Sequence, residues 1–287
     1  MNLSFKVRFL NFFRNVFRIP FLERALASLT VSKSPRHIVS KFVPNHYQYP
    51  PGSERSFVRQ GIMMKVDICD YLGHSIYFGF RDESLDALLS LCKAGFHVID
   101  VGANLGWSVL NLAKISNTGT ILGFEPDPLN FQKLTENVSA NHMTNIVLLS
   151  VGLGDKSHTA RMEVRTPLNR GGNRIAPSNS NAYSIEIVTL DSSQEVSRLP
   201  RVDLIKIDVE GYELKVLRGS REVLKKFKPI LFIELDQNNL KDQGDTPSAL
   251  IEYLIELGYV SFTSAETRMN ISANTDFTGC HFDLIAK

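Results

Sequence analysis

Acidic side chains recur in this chain at the places where short apolar runs give out. In the stretch from Val98 to Lys114 a short apolar run ends in Asp100 and crosses a turn with Gly102, Asn104 and Gly106, after which apolar residues recur with helical spacing. A second run, Ile121 to Phe124, ends in Glu125, twenty-five residues after Asp100. A strand, a glycine turn and a helix leave backbone N–H groups free at the helix start. An acidic residue at the end of the next strand typically holds ribose hydroxyls. Glycine lets the backbone approach a ligand closely, and Asn104 can donate or accept inside the loop. A second group lies in Leu204–Glu213, LIKIDVEGYE, where Lys206, Asp208 and Glu210 alternate with Ile205, Ile207 and Val209. If the strand extends that far, its period of two places the three charges on one face. Glu234 and Asp236 repeat the device in the next apolar run. Such charges are expensive to bury unless paired or used. The first group therefore reads as nucleoside recognition and the second as a wall where proton transfer or positioning occurs. The competing readings are a plain helix entry at Glu125-Pro126-Asp127 and an internal ion pair of Lys206 with Asp208 or Glu234.

Phosphate-binding signatures are missing from the turn. G-A-N-L-G lacks the paired glycines of G-x-G-x-x-G, and no G-K-[S/T] occurs, which disfavours dinucleotides and triphosphates. A nucleoside without phosphates, such as the adenosine of S-adenosylmethionine, suits the loop better. No H-x-x-x-H pattern occurs, so the sequence supports no dedicated metal site, although Asp208 and Glu234 leave divalent-metal activation open. His46 and Tyr47, inside the proline-rich segment, are expected to line a substrate pocket.

The elements that must position these residues follow from periodicity. From Asp82 onward, strands and helices alternate, which argues for a mostly parallel sheet covered on both faces. Helices are expected over Ser84–Lys93, Leu105–Ile115, Pro128–Asn141 (capped by Asp127), Glu213–Lys225 and Pro247–Leu257. Strands are expected over His97–Val101, up to Glu125, Ile146–Val151, Val202–Asp208 and Ile230–Leu235. Tyr259–Thr263 and His281–Ala286 close the sheet as an antiparallel pair. Arg161–Arg165 and Tyr183–Leu190 read as a hairpin excursion. Ahead of this core, residues 53–80 alternate as in a small β-element (MKVDICDY, HSIYFGF), and Ser34–Gly52 reads as an extended, proline-rich linker. The domain boundaries expected are 1–52 and 53–287.

At 287 residues and 43% hydrophobic content the chain is an ordinary globular one, and its net charge of +2 gives no reason to expect a nucleic-acid partner. Cys69, Cys92 and Cys280 are widely spaced, which fits a reducing cytoplasm. Residues 1–30 stand apart. Phe5, Phe9, Phe12, Phe13, Val16 and Phe17 recur at helical spacing among Lys6, Arg8, Arg14 and Arg18. No run reaches the ~20 residues of a membrane span. Either this amphipathic helix lies on the inner face of an anionic membrane, or it packs its apolar stripe on its own domain or on a partner.

DVGANLG, FEPDPLNFQKL, GLGDK and IKIDVEGYELKVLRG, in that order, resemble the FkbM-type methyltransferases. The likeness runs from about Ser53 to the C-terminus. It implies a class I Rossmann-like α/β fold with a seven-stranded sheet, S-adenosylmethionine as methyl donor, and O-methylation of a hydroxyl on a sugar or secondary metabolite. Carried across, Asp100, Gly102, Asn104 and Gly106 would hold the methionine end, Glu125 the ribose and Val151 the edge of the adenine. Asp208–Glu210 would face the transferring methyl, with Glu210 and Asp208 as candidate bases and Glu234 next. Substrate identity does not transfer, because residues 1–30 and the Arg170–Asn181 loop fall outside the shared motifs. The rival readings are a non-catalytic protein that docks on a membrane or partner through its basic helix, and a nicotinamide-dependent oxidoreductase.

Overall fold

Helices α1 (Phe5–Arg14) and α2 (Pro20–Leu29) begin the chain, α2 with Pro20 in its first turn, where a fixed φ and a missing N–H are harmless. A hairpin follows: β1 (Glu54–Arg59) and β2 (Ile62–Asp67) pair antiparallel across Gln60-Gly61, both at positive φ, as a tight two-residue turn requires. β2 buries Ile62, Met64 and Val66 and exposes the residues between them. The expected alternation does not continue through HSIYFGF. Its first five residues, His74–Phe78, belong to helix α3 (Tyr71–Phe78), whose N-cap Asp70 accepts from the N–H groups of Leu72 and Gly73 and whose end is set by left-handed Gly79. Ser34–Gly52 is likewise not extended. It forms two 3-10 turns, Val39–Phe42 and His46–Gln48, and buries Val43 and Tyr49.

The computed structural model describes residues 5–166, 168–176 and 182–287, without the side chains of Lys6 and Arg8. The elements above lie in one unit, Met1–Glu83 with Thr166–Gly171; Ser84–Arg165 with Gly172–Lys287 form a second. The second unit runs, after α4 (Glu83–Leu91), through β3 (Val98–Val101), α5 (Trp107–Ile115), β4 (Ile121–Phe124), α6 (Pro128–Ser139) and β5 (Ile146–Leu149). An excursion of β6 (Gly152–Leu153), β7 (His158–Glu163), β8 (Arg174–Ile175) and β9 (Ala182–Val188) makes a separate four-stranded sheet. The expected hairpin is there, with β7 antiparallel to β9. The chain returns through α7 (Gln194–Ser197), β10 (Leu204–Ile207), α8 (Glu213–Arg218), α9 (Arg221–Phe227), β11 (Ile230–Asp236), α10 (Gln237–Asp242), α11 (Pro247–Glu256), β12 (Phe262–Ser264) and β13 (His281–Ala286).

The seven-stranded sheet has the order β12-β13-β11-β10-β3-β4-β5, and β13 pairs antiparallel with β11 and β12 while β11, β10, β3, β4 and β5 are parallel. Its central strands are buried on both faces. Ile99, Val101, Ile205 and Ile207 join one apolar cluster, and Val98 and Leu204 join the other. The chain builds outward from β3 to β5, then restarts beside β3 with β10. The carboxyl ends of β3 and β10 are therefore the switch point, where α/β sheets open a crevice for ligands.

The helix expected over Glu213–Lys225 is two helices. A Cβ at Gly219 would lie 1.9 Å from the Gly154 carbonyl oxygen, so the chain passes there as glycine, and the Asp191 carboxylate then caps α9 through the N–H groups of Glu222 and Val223.

Candidate functional site

Parallel register sets Asp100 beside Lys206 across β3 and β10. The Lys206 ammonium lies 3.2 Å from Asp100 Oδ1 and 3.3 Å from Asp208 Oδ2, and it donates to the Gly102 carbonyl at 3.0 Å. The ion pair considered for Lys206 thus exists with Asp208 and with Asp100, not with Glu234. Burial opposes the lysine charge, but the two carboxylates outweigh it and hold its pKa above that of a free lysine. Burial pushes the Asp100 carboxyl up, against the pull of Lys206 and of the Ser108 hydroxyl, which donates to Asp100 Oδ2 at 2.5 Å. Ser108 had no signal in the motif beyond following the turn.

The turn itself holds three positive φ values, 84° at Gly102, 48° at Asn104 and 89° at Gly106. The sequence assigns the glycines to close approach of a ligand. The chain itself also packs against them: a Cβ would meet the Asp208 carbonyl oxygen at 2.0 Å from position 102 and Leu134 Cδ1 at 2.6 Å from position 106. Gly102 is the seam where the first acidic group meets the second.

Glu125 follows β4 and is buried with both carboxylate oxygens oriented. The Asn104 N–H donates to Oε2 at 2.8 Å, and the Asp127 N–H donates to Oε1 at 2.9 Å. Burial is the main reason its pKa rises to about 7. The helix-entry reading is also realised, because Asp127 caps α6 as expected, accepting from Leu129 and Asn130 N–H. Its Oδ2 accepts from Asn173 at 2.6 Å and the Tyr183 hydroxyl at 2.7 Å, tying the excursion to the same corner. Val151, just past β5, is half-buried against the core.

The second wall departs from the expected strand. β10 stops at Ile207, and Asp208–Gly211 turns instead, with Glu210 at φ 55° and Gly211 at φ 102°. Glu210 is therefore not carried by strand alternation on the Lys206 face. Its left-handed backbone is a strain that tends to collect at functional sites. Glu213 holds this turn: its Oε1 accepts from the N–H of Val209 at 3.2 Å and of Gly211 at 2.9 Å. The Asn239 side chain donates to Glu210 Oε2 at 2.7 Å and accepts from Arg165 at 3.2 Å. Burial, then the Asp208 charge, raises the Glu210 pKa to about 7. Glu234 is raised well above a free glutamate, first by burial and then by Asp208 and Glu210, and its Oε2 has no hydrogen-bond donor. Asn239, Arg165 and Glu213 were not singled out by sequence; only Glu213 lies within a recognisable motif.

His46 and Tyr47 sit in the N-terminal unit. His46 lines a cleft of about 220 Å³ with Tyr71 and His74, and the Tyr47 hydroxyl accepts from Asn11 and Asn45. Residues 177–181 of the Arg170–Asn181 loop lie outside the described residues. Among the described residues, no group of three or more His, Cys, Asp or Glu side chains is arranged to hold a metal ion.

The donor set fits S-adenosylmethionine. Asp100 and Asp208 pair with the one lysine, Lys206, while Glu125 is buried at the end of the neighbouring strand and Glu210 and Glu234 interact with Asp208, an acidic set suited to a sulfonium cation and to ribose hydroxyls and hostile to a pyrophosphate. Sheet order, the single antiparallel strand at β13 and this lining define a class I methyltransferase fold. The profile of the Methyltransferase FkbM domain matches residues 100–261, and the chain belongs to that family. The hexuronic acid methyltransferase AglP of Haloferax volcanii is 30% identical over 126 residues, which are 44% of this chain and 50% of that protein. The chain spans 50% to 60% of the length of the curated relatives it matches. The crystal structure of an FkbM methyltransferase from Methylobacillus flagellatus has 17% identity and a TM-score of 0.42, over 76% of this chain and 55% of that one. M. jannaschii TYW2 in complex with AdoMet has 14% identity and a TM-score of 0.47, over 83% and 86%.

Proposed function

We propose that the protein is an S-adenosylmethionine-dependent O-methyltransferase whose acceptor is a hydroxyl on a sugar or glycan. The observation that carries the reading is the buried Glu125 carboxylate, fixed by two backbone N–H groups at the end of the strand next to Asp100. Asp100, Asn104 and Glu125 would hold the cofactor, with Val151 at its adenine edge. When bound, S-adenosylmethionine supplies an activated methyl group for in-line displacement.

The chain's own part is to align the acceptor and manage its proton. Positioning contributes ~7–11 kcal/mol to such reactions, and a general base adds about 100- to 10,000-fold. Glu210 accepts the hydroxyl proton. Its pKa of about 7 gives it basic strength near neutrality that an exposed carboxylate lacks, and Asn239 fixes its orientation. Glu234 is the weaker candidate because its Oε2 has no donor to orient it, whereas Asn239 orients Glu210. The hexuronic acid named for the relative from Haloferax volcanii supports a sugar acceptor.

The test is to incubate the full chain with S-adenosylmethionine and a panel of uronic-acid glycans, lipid-linked sugars and hydroxylated secondary metabolites, and to measure S-adenosylhomocysteine. Turnover on a sugar is expected. Turnover confined to a non-sugar acceptor would remove the glycan from the reading, and none on any hydroxyl would remove O-methylation.

A further inference from the structure

Helix α1 is mounted inside out. Asn11 and Arg14 face the rest of the N-terminal unit: Asn11 is buried, accepting from Asn45 at 3.1 Å and donating to the Tyr47 hydroxyl at 3.2 Å, while Arg14 donates to the Lys41 carbonyl at 2.8 Å. Gln48 donates to the Asn11 carbonyl and to the Asn15 side chain. The phenylalanines point away. Phe5 is 84% exposed and Phe12 72%, with Phe9, Phe13 and Val16 also exposed, and α2 and the following turns add Phe21 at 69% and Ile38 at 68%. The rings touch one another, Phe9 to Phe13 with centroids at 4.9 Å and Phe12 to Phe13 at 5.6 Å, so the surface is continuous along α1. Twelve of the twenty exposed large apolar side chains among the described residues fall in the first 42 positions. An amphipathic helix that merely closed its own core would be turned the other way. Patches of this kind mark interaction sites.

Charge selects the occupant. The first fifty residues carry eight lysines and arginines and one acidic residue, Glu23, whereas the whole chain is only +2. Glu23 is buried and taken up by Arg55, at 2.6 Å, so nothing acidic in this segment opposes the basic excess. A second copy of the chain would bring like charge against like. We infer that this face lies on an anionic lipid bilayer, its phenylalanines in the acyl boundary and its lysines and arginines at the headgroups. No helix among the described residues is long and apolar enough to cross a membrane, so the segment would lie in the interface plane.

Co-sedimentation of the full chain with vesicles tests the inference, using phosphatidylcholine alone or mixed with phosphatidylglycerol, beside sedimentation velocity without lipid. Binding to the anionic vesicles is expected, weakening as salt rises, with little binding to phosphatidylcholine alone. Phe5→Ser with Phe12→Ser should weaken binding by about tenfold or more at an unchanged unfolding midpoint, since both side chains lie in solvent. Lys33→Glu with Arg36→Glu should weaken anionic binding and flatten its salt dependence. No binding to anionic vesicles overturns the inference. So does equal binding to neutral ones, or a dimer in solution that Phe12→Ser dissolves, which would make the face a contact between copies.

Discussion

On either side of the switch point the sheet buries a glutamate, and it treats the two in opposite ways. Glu125 beside β3 has a backbone N–H on each carboxylate oxygen, whereas Glu234 on β11 has an oxygen with no donor and acidic neighbours in Asp208 and Glu210. Burial raises both pKa values, so desolvation alone does not assign a role. Donors do. A carboxylate fixed by two N–H groups keeps its direction and can present its remaining lone pairs to ligand hydroxyls, while crowding by other carboxylates disfavours the charged form. Glu210 lies between these cases, with one donor from Asn239 and a pKa near 7, and that combination is what a base requires.

The comparison breaks most sharply at Glu210. Glu210→Gln should lower turnover by about 100- to 10,000-fold while leaving cofactor affinity in place. A steady-state assay beside a binding titration reads both, and unchanged turnover would remove Glu210 as base. Lys206→Met comes next. It strands Asp100 without its partner at the centre of the sheet, and breaking a buried pair from one side costs about 3–5 kcal/mol, readable as a lower urea midpoint. Glu125→Gln keeps the shape and removes the charge. Cofactor affinity should fall by about tenfold to a hundredfold, the worth of a charged hydrogen bond, with turnover at saturation much less affected.

The smallest effects are those of pH, and they separate two consequences of the same burial. Turnover should rise with pH through about 7 as Glu210 loses its proton, then level off. Stability of the unliganded protein should move the other way. Glu125 and Glu213 have pKa values raised from 4.5 to about 7, so the fold binds more protons than the unfolded chain across that window. Their stabilising contribution is full below about 4.5 and is lost as pH climbs through about 7. Unfolding midpoints recorded across this range check the sign.

Much of the sheet could be read before folding, because strands buried on both faces are nearly continuous apolar runs and their ends were marked by Asp100, Glu125 and Asp208. The acidic residues of the site were visible for the same reason: they interrupt that pattern. What escaped were contacts between distant segments. Asn239 reaches Glu210 from 29 residues away and Arg165 reaches Asn239 from 74, and neither interrupts a pattern. Gly219 splits an apparently continuous helix because the Gly154 carbonyl passes against it, a constraint no local periodicity encodes. Two differences from the expected elements are local. HSIYFGF alternates like a strand, yet its first five residues lie in a helix that Asp70 and Gly79 cap at either end. The strand expected over Val202–Asp208 stops at Ile207 and never reaches Glu210, because Glu210 and Gly211, both at positive φ, turn the chain.

The account stands on the acidic crevice at Asp100 and Glu125 being a site for a cationic nucleoside. Calorimetric titration of the full chain with S-adenosylmethionine, with NAD as the comparison, tests it most directly. One saturable site for S-adenosylmethionine, none for NAD, and weaker binding in Glu125→Gln is the predicted result. No binding of S-adenosylmethionine, or equal binding by the variant, would contradict it.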